Sequence, residues 1–220
     1  MTRPGAPSPV PAAAEELLGA LPVMLEPLSV AHAPALVACA DQTTFRWFPT
    51  RPDSVGTDGV GPVTVDAMER FLAGYLAGAD RRGFAIVDRH TGRVVACSSY
   101  LDVRPAHRGL EIGSTWIAPD RRGTQTNPAM KLAMLTMAFE TDVFGAGSVE
   151  RGSAIRVQLK THHENLASRR AIEKIGAVFE GVLRNHMVMP DGSVRHTVMY
   201  AITPEDWPAV KAGLLARLEM

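Results

Sequence analysis

The sequence predicts a single α+β domain built on a mixed sheet. Three observations lead there. Strand-like and helix-like segments follow one another in the order β-α-α-β-β-β-α-β-α-β-β-α. Two turn signals, His90-Thr91-Gly92 and Pro190-Asp191-Gly192, each join two strand-like segments into a hairpin. The 220 residues, 46% hydrophobic and 21% charged, suit one large domain whose core needs no disulfide or metal staple.

Residues 1–21 read as a proline-rich arm, because four prolines in the first eleven positions disfavour a helix or a central strand. A short amphipathic piece around Ala12–Ala20 ends the arm, and the domain proper is expected over 22–220. The arm has the pattern of neither a signal nor a transit peptide. Val23–Leu28 is a strand, with Pro27 marking an edge or an end. His32–Ala40 is a small helix, Phe45–Pro52 an aromatic loop and Ser54–Pro62 a Gly- and Asp-rich loop. A helix from Thr64 or Val65 to Leu76 sets Met68, Phe71, Leu72 and Tyr75 at helical spacing. Phe84–Asp88 and Arg93–Leu101 are strands, Asp102–Gly109 a polar loop and Leu110–Ala118 a further strand.

After the loop Arg121–Thr126, Asn127 and Pro128 suit the N-cap and first position of a helix running to about Val143. That helix is apolar on most faces, which predicts a buried central position. Ile155–Lys160 is a strand, and Asn165–Ile175 a helix stopped by Gly176. Val178–Met189 and Ser193–Ile202 form the last hairpin. Pro204–Leu218 is the terminal helix, with Asp206 in its first turn.

Charge excludes several function classes. Lys+Arg is 23 and Asp+Glu is 23, so the chain lacks the basic footprint of a nucleic-acid binder and a polybasic membrane anchor. No apolar run reaches the length of a membrane span. Cys39 and Cys97 lie in apolar contexts and read as buried thiols in a reducing cytoplasm.

The chemistry concentrates in two stretches. In the first, a strand feeds a glycine-containing loop into a helix N-terminus, which is an anion-binding design. Gly123 lets a ligand approach the backbone, and Arg121 and Arg122 add positive charge. No Gly-Lys-Ser/Thr and no GxGxxG is present, so neither a P-loop nor a dinucleotide fingerprint is meant. An ordinary capped helix with two solvated arginines is the alternative. The second stretch runs Thr161-His162-His163-Glu164-Asn165-Leu166-Ala167-Ser168, then an apolar helix ending Ile175-Gly176-Ala177, then Glu180-Gly181.

Together these stretches resemble the GNAT acetyltransferases, in the RimJ/RimL-like branch of ribosomal-protein N-terminal acetyltransferases. The resemblance covers about residues 22–202. It implies a mostly antiparallel central sheet flanked by helices, with acetyl-CoA as co-substrate. The family's pyrophosphate loop falls on Arg122, Gly123, Thr124, Gln125, Thr126 and Asn127, where Gln125 and Asn127 replace the usual small residues. By resemblance the strand splays at Trp116 and Ile117, and its backbone binds the pantetheine arm. Asn165 contacts that arm, and Ser168 lies near the thioester sulfur.

Transfer to an amine needs a base, a group that polarises the thioester carbonyl, and an acid for the leaving thiolate. Glu111, acting through water, is the candidate base, the Ile117 N–H the polarising group and Ser168 the candidate acid. The alternatives are a surface or salt-bridged strand glutamate for Glu111, and a cofactor contact or a helix-surface serine for Ser168. Neither cysteine is expected near the motifs. Phe45 and Trp47, with Phe48, are expected to line the acceptor mouth, and His107 to face the acceptor. No metal is expected, since the adjacent His162, His163 and Glu164 should point different ways.

The function that follows is acetyl-CoA-dependent N-acetyl transfer to a primary amine, a protein N-terminus or a small molecule, by direct transfer. The alternatives are an acyl-CoA-binding module without turnover, or an enzyme using another donor such as succinyl-CoA. The expected partners are acetyl-CoA and the amine, with no nucleic acid and no membrane; a homodimer is compatible with the sequence.

Overall fold

The computed structural model describes residues 9–219. Seven strands form one sheet in the order β1-β2-β3-β4-β5-β7-β6. They are β1 (Val23–Pro27), β2 (Arg82–Asp88), β3 (Val94–Arg104), β4 (Gly109–Ile117), β5 (Arg156–His162), β6 (Val178–Val188) and β7 (Val194–Ile202). Every neighbouring pair is antiparallel except β4 and β5. The helices are α1 (Ala12–Ala20), α2 (Ala33–Ala38), α3 (Val65–Leu76), α4 (Thr126–Glu140), α5 (Val149–Gly152), α6 (Leu166–Ile175) and α7 (Trp207–Leu218). This is the α+β architecture that the segment order predicts.

The sheet separates two apolar clusters. On one side Ile86, Tyr100, Leu110, Ile112, Leu159 and Tyr200 pack with α4 and α7. On the other side Ala85, Cys97 and Trp116 pack with α2, α3 and Phe45. Strand alternation sends successive residues to opposite clusters. α4 carries buried residues all round, as its sequence predicts for a central helix.

Several boundaries differ from the sequence reading. The amphipathic piece expected at Ala12–Ala20 is a helix over those residues, but Ala14 and Leu21 are buried in the domain, while the first eight residues of the arm lie outside the described ones. The expected polar loop from Asp102 is strand at its start, because β3 runs on to Arg104, and a 3-10 turn, Pro105–His107, completes the link. α4 starts at Thr126 and ends at Glu140, short of Val143, and Gln125 takes the cap position expected for Asn127. Thr64 caps α3 by accepting from Ala67 N–H, and Gly176 closes α6 at φ +97°.

One irregularity shapes everything that follows. Between the pairs Cys97–Trp116 and Ser99–Gly113, β4 holds one residue more than β3. Ser114 takes φ +47° there, which makes a bulge that re-aims the strand. Under the bulge sits Lys131 of α4, 5% exposed. Its Nζ donates to Thr115 Oγ1 at 3.0 Å and Ser98 Oγ at 3.4 Å, with no ion pair among the described residues. Burial pulls the Lys131 pKa down to about 7.

In the unfolded chain this amine stays protonated up to its ordinary pKa near 10.5. The site's cost to stability is therefore full below about pH 7 and is relieved as pH rises toward 10. Lys131→Met should stabilise the protein at neutral pH. It should also flatten the rise in stability between about pH 7 and 9, by up to about 1.4 kcal/mol per pH unit. Denaturant melts of both proteins across that range check this, and parallel curves would refute it.

Candidate active site

β4 and β5 pair only at Gly109–Arg156, Leu110–Val157 and Glu111–Gln158. Beyond Glu111 the two parallel strands part. The Ala118 N–H donates to Val95 O, so by strand alternation the Ile117 N–H points to the other edge, into the gap. The Trp116 side chain goes the opposite way. It is 5% exposed, 5.4 Å from the Phe45 ring and 6.0 Å from Phe48. Only backbone at these two positions can serve a ligand in the gap.

The loop after β4 enters α4 with Gly123 at φ +76° and open space where a Cβ would stand. Thr124 Oγ1 accepts from Thr126 N–H at 3.2 Å. The N–H groups of Gly123, Thr124, Gln125 and Asn127 meet no acceptor among the described residues. Four free donors at a helix start form a cradle for an anion.

Arg121 lines a cavity of about 200 Å³ with Thr124, Gln125 and Thr126, and both loop arginines are held by carboxylates. Arg122 donates to Asp41 Oδ2 (2.6 Å), Thr44 Oγ1 (3.3 Å) and Ile117 O (3.1 Å), bracing the loop against the turn at 41–44. Burial opposes ionisation of Asp41, but hydrogen bonds from Arg122, Thr43 and Thr44 outweigh it and hold that carboxyl well below the usual range. Arg121 pairs with Asp88 at 3.1 Å.

Across the gap, Asn165 is the N-cap of α6. Its Oδ1 accepts from Ser168 N–H at 3.1 Å, which leaves the Asn165 amide NH₂ and the Ser168 hydroxyl without partners among the described residues. Glu111 is buried, not a surface strand residue. Lys160 Nζ lies 2.8 Å from its Oε2 and Gln158 Nε2 3.3 Å. Gln158, Lys160 and His162 alternate along β5 and share a face with Glu111. Thr197 of β7, opposite His162, extends that face. Its hydroxyl accepts from Arg195 Nε (3.0 Å) and lies 3.0 Å from His186 Nδ1. Trp47 lies over His162, ring centroids 4.6 Å apart. Beside them opens a cavity of about 410 Å³ lined by Arg46, Trp47, His162, Glu164, Met189 and Asp191, among others.

A model of the GNAT acetyltransferase domain matches residues 23–178. The chain belongs to the GNAT family. Comparison with curated proteins finds no match. A T. thermophilus protein provisionally described as an acetyltransferase is 36% identical, with a TM-score of 0.74 over 89% of this chain and 93% of that one. A GCN5-related N-acetyltransferase from Brucella melitensis is 28% identical, TM-score 0.74, over 88% and 81%. Mycobacterium smegmatis RimJ, solved in complex with CoA-disulfide, shares the fold at 24% identity and TM-score 0.67, over 90% and 91%.

Set on the GNAT sheet, two other expected site residues move, and one cysteine comes nearer than expected. Phe45 is 1% exposed and packs between Phe48, Phe71 and Trp116, so it is core and not acceptor mouth. His107 is exposed at the start of β4, the end opposite the gap, so it does not face the acceptor. Cys97 is closer than expected, directly opposite Trp116 in the sheet. Burial pushes its thiol far up, and that of Cys39 up to about 11, so neither supplies a thiolate.

The His162-His163-Glu164 group also converges, with ligand atoms within 4.8 Å, because β5 ends at His162 and the chain turns there. Its hydrogen bonds oppose ligation. His162 Nδ1 accepts the Glu164 N–H (3.1 Å), so its Nε2 carries the hydrogen. Burial, then His163 and Arg195, depress the His162 pKa; burial, then Lys160 and Arg195, depress that of His186. Sequence reasoning missed Lys160, His162, Arg195 and Thr197. For Lys160 and His162 the signal was there, in the alternation of Gln158, Lys160 and His162 with Val157 and Leu159.

Proposed function

We propose that the protein is an acetyl-CoA-dependent N-acetyltransferase that moves the acetyl group directly to a primary amine. The carrying observation is the row of four acceptor-free N–H groups at the start of α4, beside the gap between β4 and β5. The row suits a diphosphate, and the gap suits an extended arm that needs backbone partners. In this reading the arm lies along the open edge of β4 and meets the free amide of Asn165. The Ile117 N–H polarises the thioester carbonyl and holds the oxyanion of the tetrahedral intermediate. Glu111, through water, takes the proton from the incoming ammonium. The amine nitrogen bonds to the carbonyl carbon, the C–S bond breaks, and Ser168 Oγ protonates the departing thiolate.

The surroundings favour this chemistry. Lys160 and Arg195 bring positive charge to the face that holds Glu111, which disfavours a bound ammonium and so favours the neutral, nucleophilic amine. The reduced, buried cysteines suit a cytoplasmic setting. A second reading, an acyl-CoA-binding module without turnover, is favoured by one fact: both loop arginines are spent on carboxylates. Thiol release from acetyl-CoA and succinyl-CoA over an amine panel tests the proposal. Release with acetyl-CoA and an amine supports it. Stabilisation by CoA without release favours the module, and no response to CoA defeats both.

A further inference from the structure

Arg195 stands apart from every other charge on the acceptor face. It is 4% exposed and forms no ion pair among the described residues. Its Nε donates to Thr197 Oγ1 at 3.0 Å, and one amino group reaches Trp47 O at 3.4 Å. The second amino group has no acceptor among the described residues. Glu111 is the carboxylate whose charge acts on it, and Glu111 is already held by Lys160 at 2.8 Å. The imidazoles of His162 and His186 feel the positive charge of Arg195, so they offer it no counter-ion.

A buried cation without a partner is costly, and proteins keep one where a ligand completes the pair. The guanidinium fork fits a carboxylate through two parallel hydrogen bonds. The placement is also right. Thr197 lies opposite His162, the last residue of β5, so Arg195 stands just past the strand end that flanks the gap. It lies behind Trp47 and His162, which line the cavity. Because so little of it is exposed, only a small group can reach it.

We propose that Arg195 receives the carboxylate of the acceptor, so that the preferred acceptors are free amino acids. This rests on the transferase reading. Aspartates and glutamates elsewhere around the cavity do not contest the role. Asp191 is turned to Ser193 N and Oγ, Asp58 to Val60 N, and Glu164 Oε1 lies 3.9 Å from His163 Nε2.

The test compares matched acceptors: an amino acid, its carboxamide and the decarboxylated amine, followed by thiol release. The wild type should favour the acid by roughly 10²-fold or more in kcat/KM, since a site built for a polar group rejects analogues that lack it. Arg195→Met should erase that preference and Arg195→Lys keep part of it, while stabilisation by CoA stays unchanged in both. A wild type that treats acid and amide alike, or a preference that survives in Arg195→Met, overturns the inference and leaves the transferase reading intact. A preference confined to acidic peptides overturns the small-molecule assignment. If no amine releases thiol, the transferase reading fails. Calorimetry of N-acetyl amino acids on CoA-loaded protein then decides: binding lost in Arg195→Met supports the carboxylate site, and absence of binding in the wild type overturns it.

Discussion

Glu111→Gln is expected to lower kcat by roughly 10²–10⁴-fold and to leave acetyl-CoA affinity within a few-fold. The carboxylate, its side chain 3% exposed, lies where β4 and β5 still pair, and the free N–H groups at the start of α4 lie beyond the far end of β4. The substitution also strips Lys160 of its partner. Breaking a buried pair costs about 3–5 kcal/mol, but Lys160 keeps 29% exposure and so tends to the lower end. Lys160→Met separates the two effects. It breaks the same pair yet keeps the carboxylate, so kcat should fall less than about tenfold if Glu111 is the base. Equal losses of kcat in the two variants would make Glu111 a structural partner. Near wild-type turnover in Glu111→Gln would overturn its assignment as the base.

Those paired variants show why the site was only half legible in the sequence. The order of elements could be read because hairpin turns, caps and apolar periodicity are local signals, and they fix the sheet's neighbours. Glu111 was found because it precedes the splay on one strand. Its partner was not, because Lys160 lies 49 residues on and meets it only through the parallel β4–β5 pair. Along the chain Arg104 and Arg108 are nearer and look the better partners. In the structure Arg108 bonds Ser153 and Arg104 pairs with Asp102.

The same limit explains Phe45, Trp47 and His107. An aromatic run such as Phe45-Arg46-Trp47-Phe48 must divide between core and cleft, and only the sheet beneath decides the division. Trp116 claims Phe45 and Phe48, and His162 claims Trp47. His107 precedes Glu111 by four residues, but it sits in the 3-10 turn before β4, and the strand from Gly109 carries the chain on toward the gap at over 3 Å per residue. The Ser114 bulge left no trace in the sequence, because a serine at positive φ looks like any other serine. It is held from outside, by Thr115, Ser98 and Lys131, residues from three separate segments.

Gly123→Val is expected to remove most of the stabilisation that CoA confers. At 100 times the wild-type Kd, a ligand adds about 2.7 kcal/mol to stability, and after a 100-fold loss of affinity about 0.4 kcal/mol remains, so the Tm shift should shrink to roughly a sixth. The argument rests on where the side chain goes. Nothing lies within 4 Å of a Cβ at this position, so valine meets no internal clash. Its cost to the unliganded protein is the left-handed backbone at φ +76°, about 1–2 kcal/mol. The branched side chain then stands over the free N–H groups of Gly123, Thr124, Gln125 and Asn127, where a diphosphate must approach. If the loop instead escapes the strained φ, those N–H groups turn away, with the same result. Gly123→Ala carries a similar backbone cost with less bulk and should fall between the two. Arg122→Ala serves as the contrast. Its guanidinium braces the loop to Asp41, Thr44 and Ile117, so its loss should lower the unliganded Tm more than the CoA-induced shift. A full CoA shift in Gly123→Val would mean that the anion binds away from this helix start, and the assignment of the loop would fall with it.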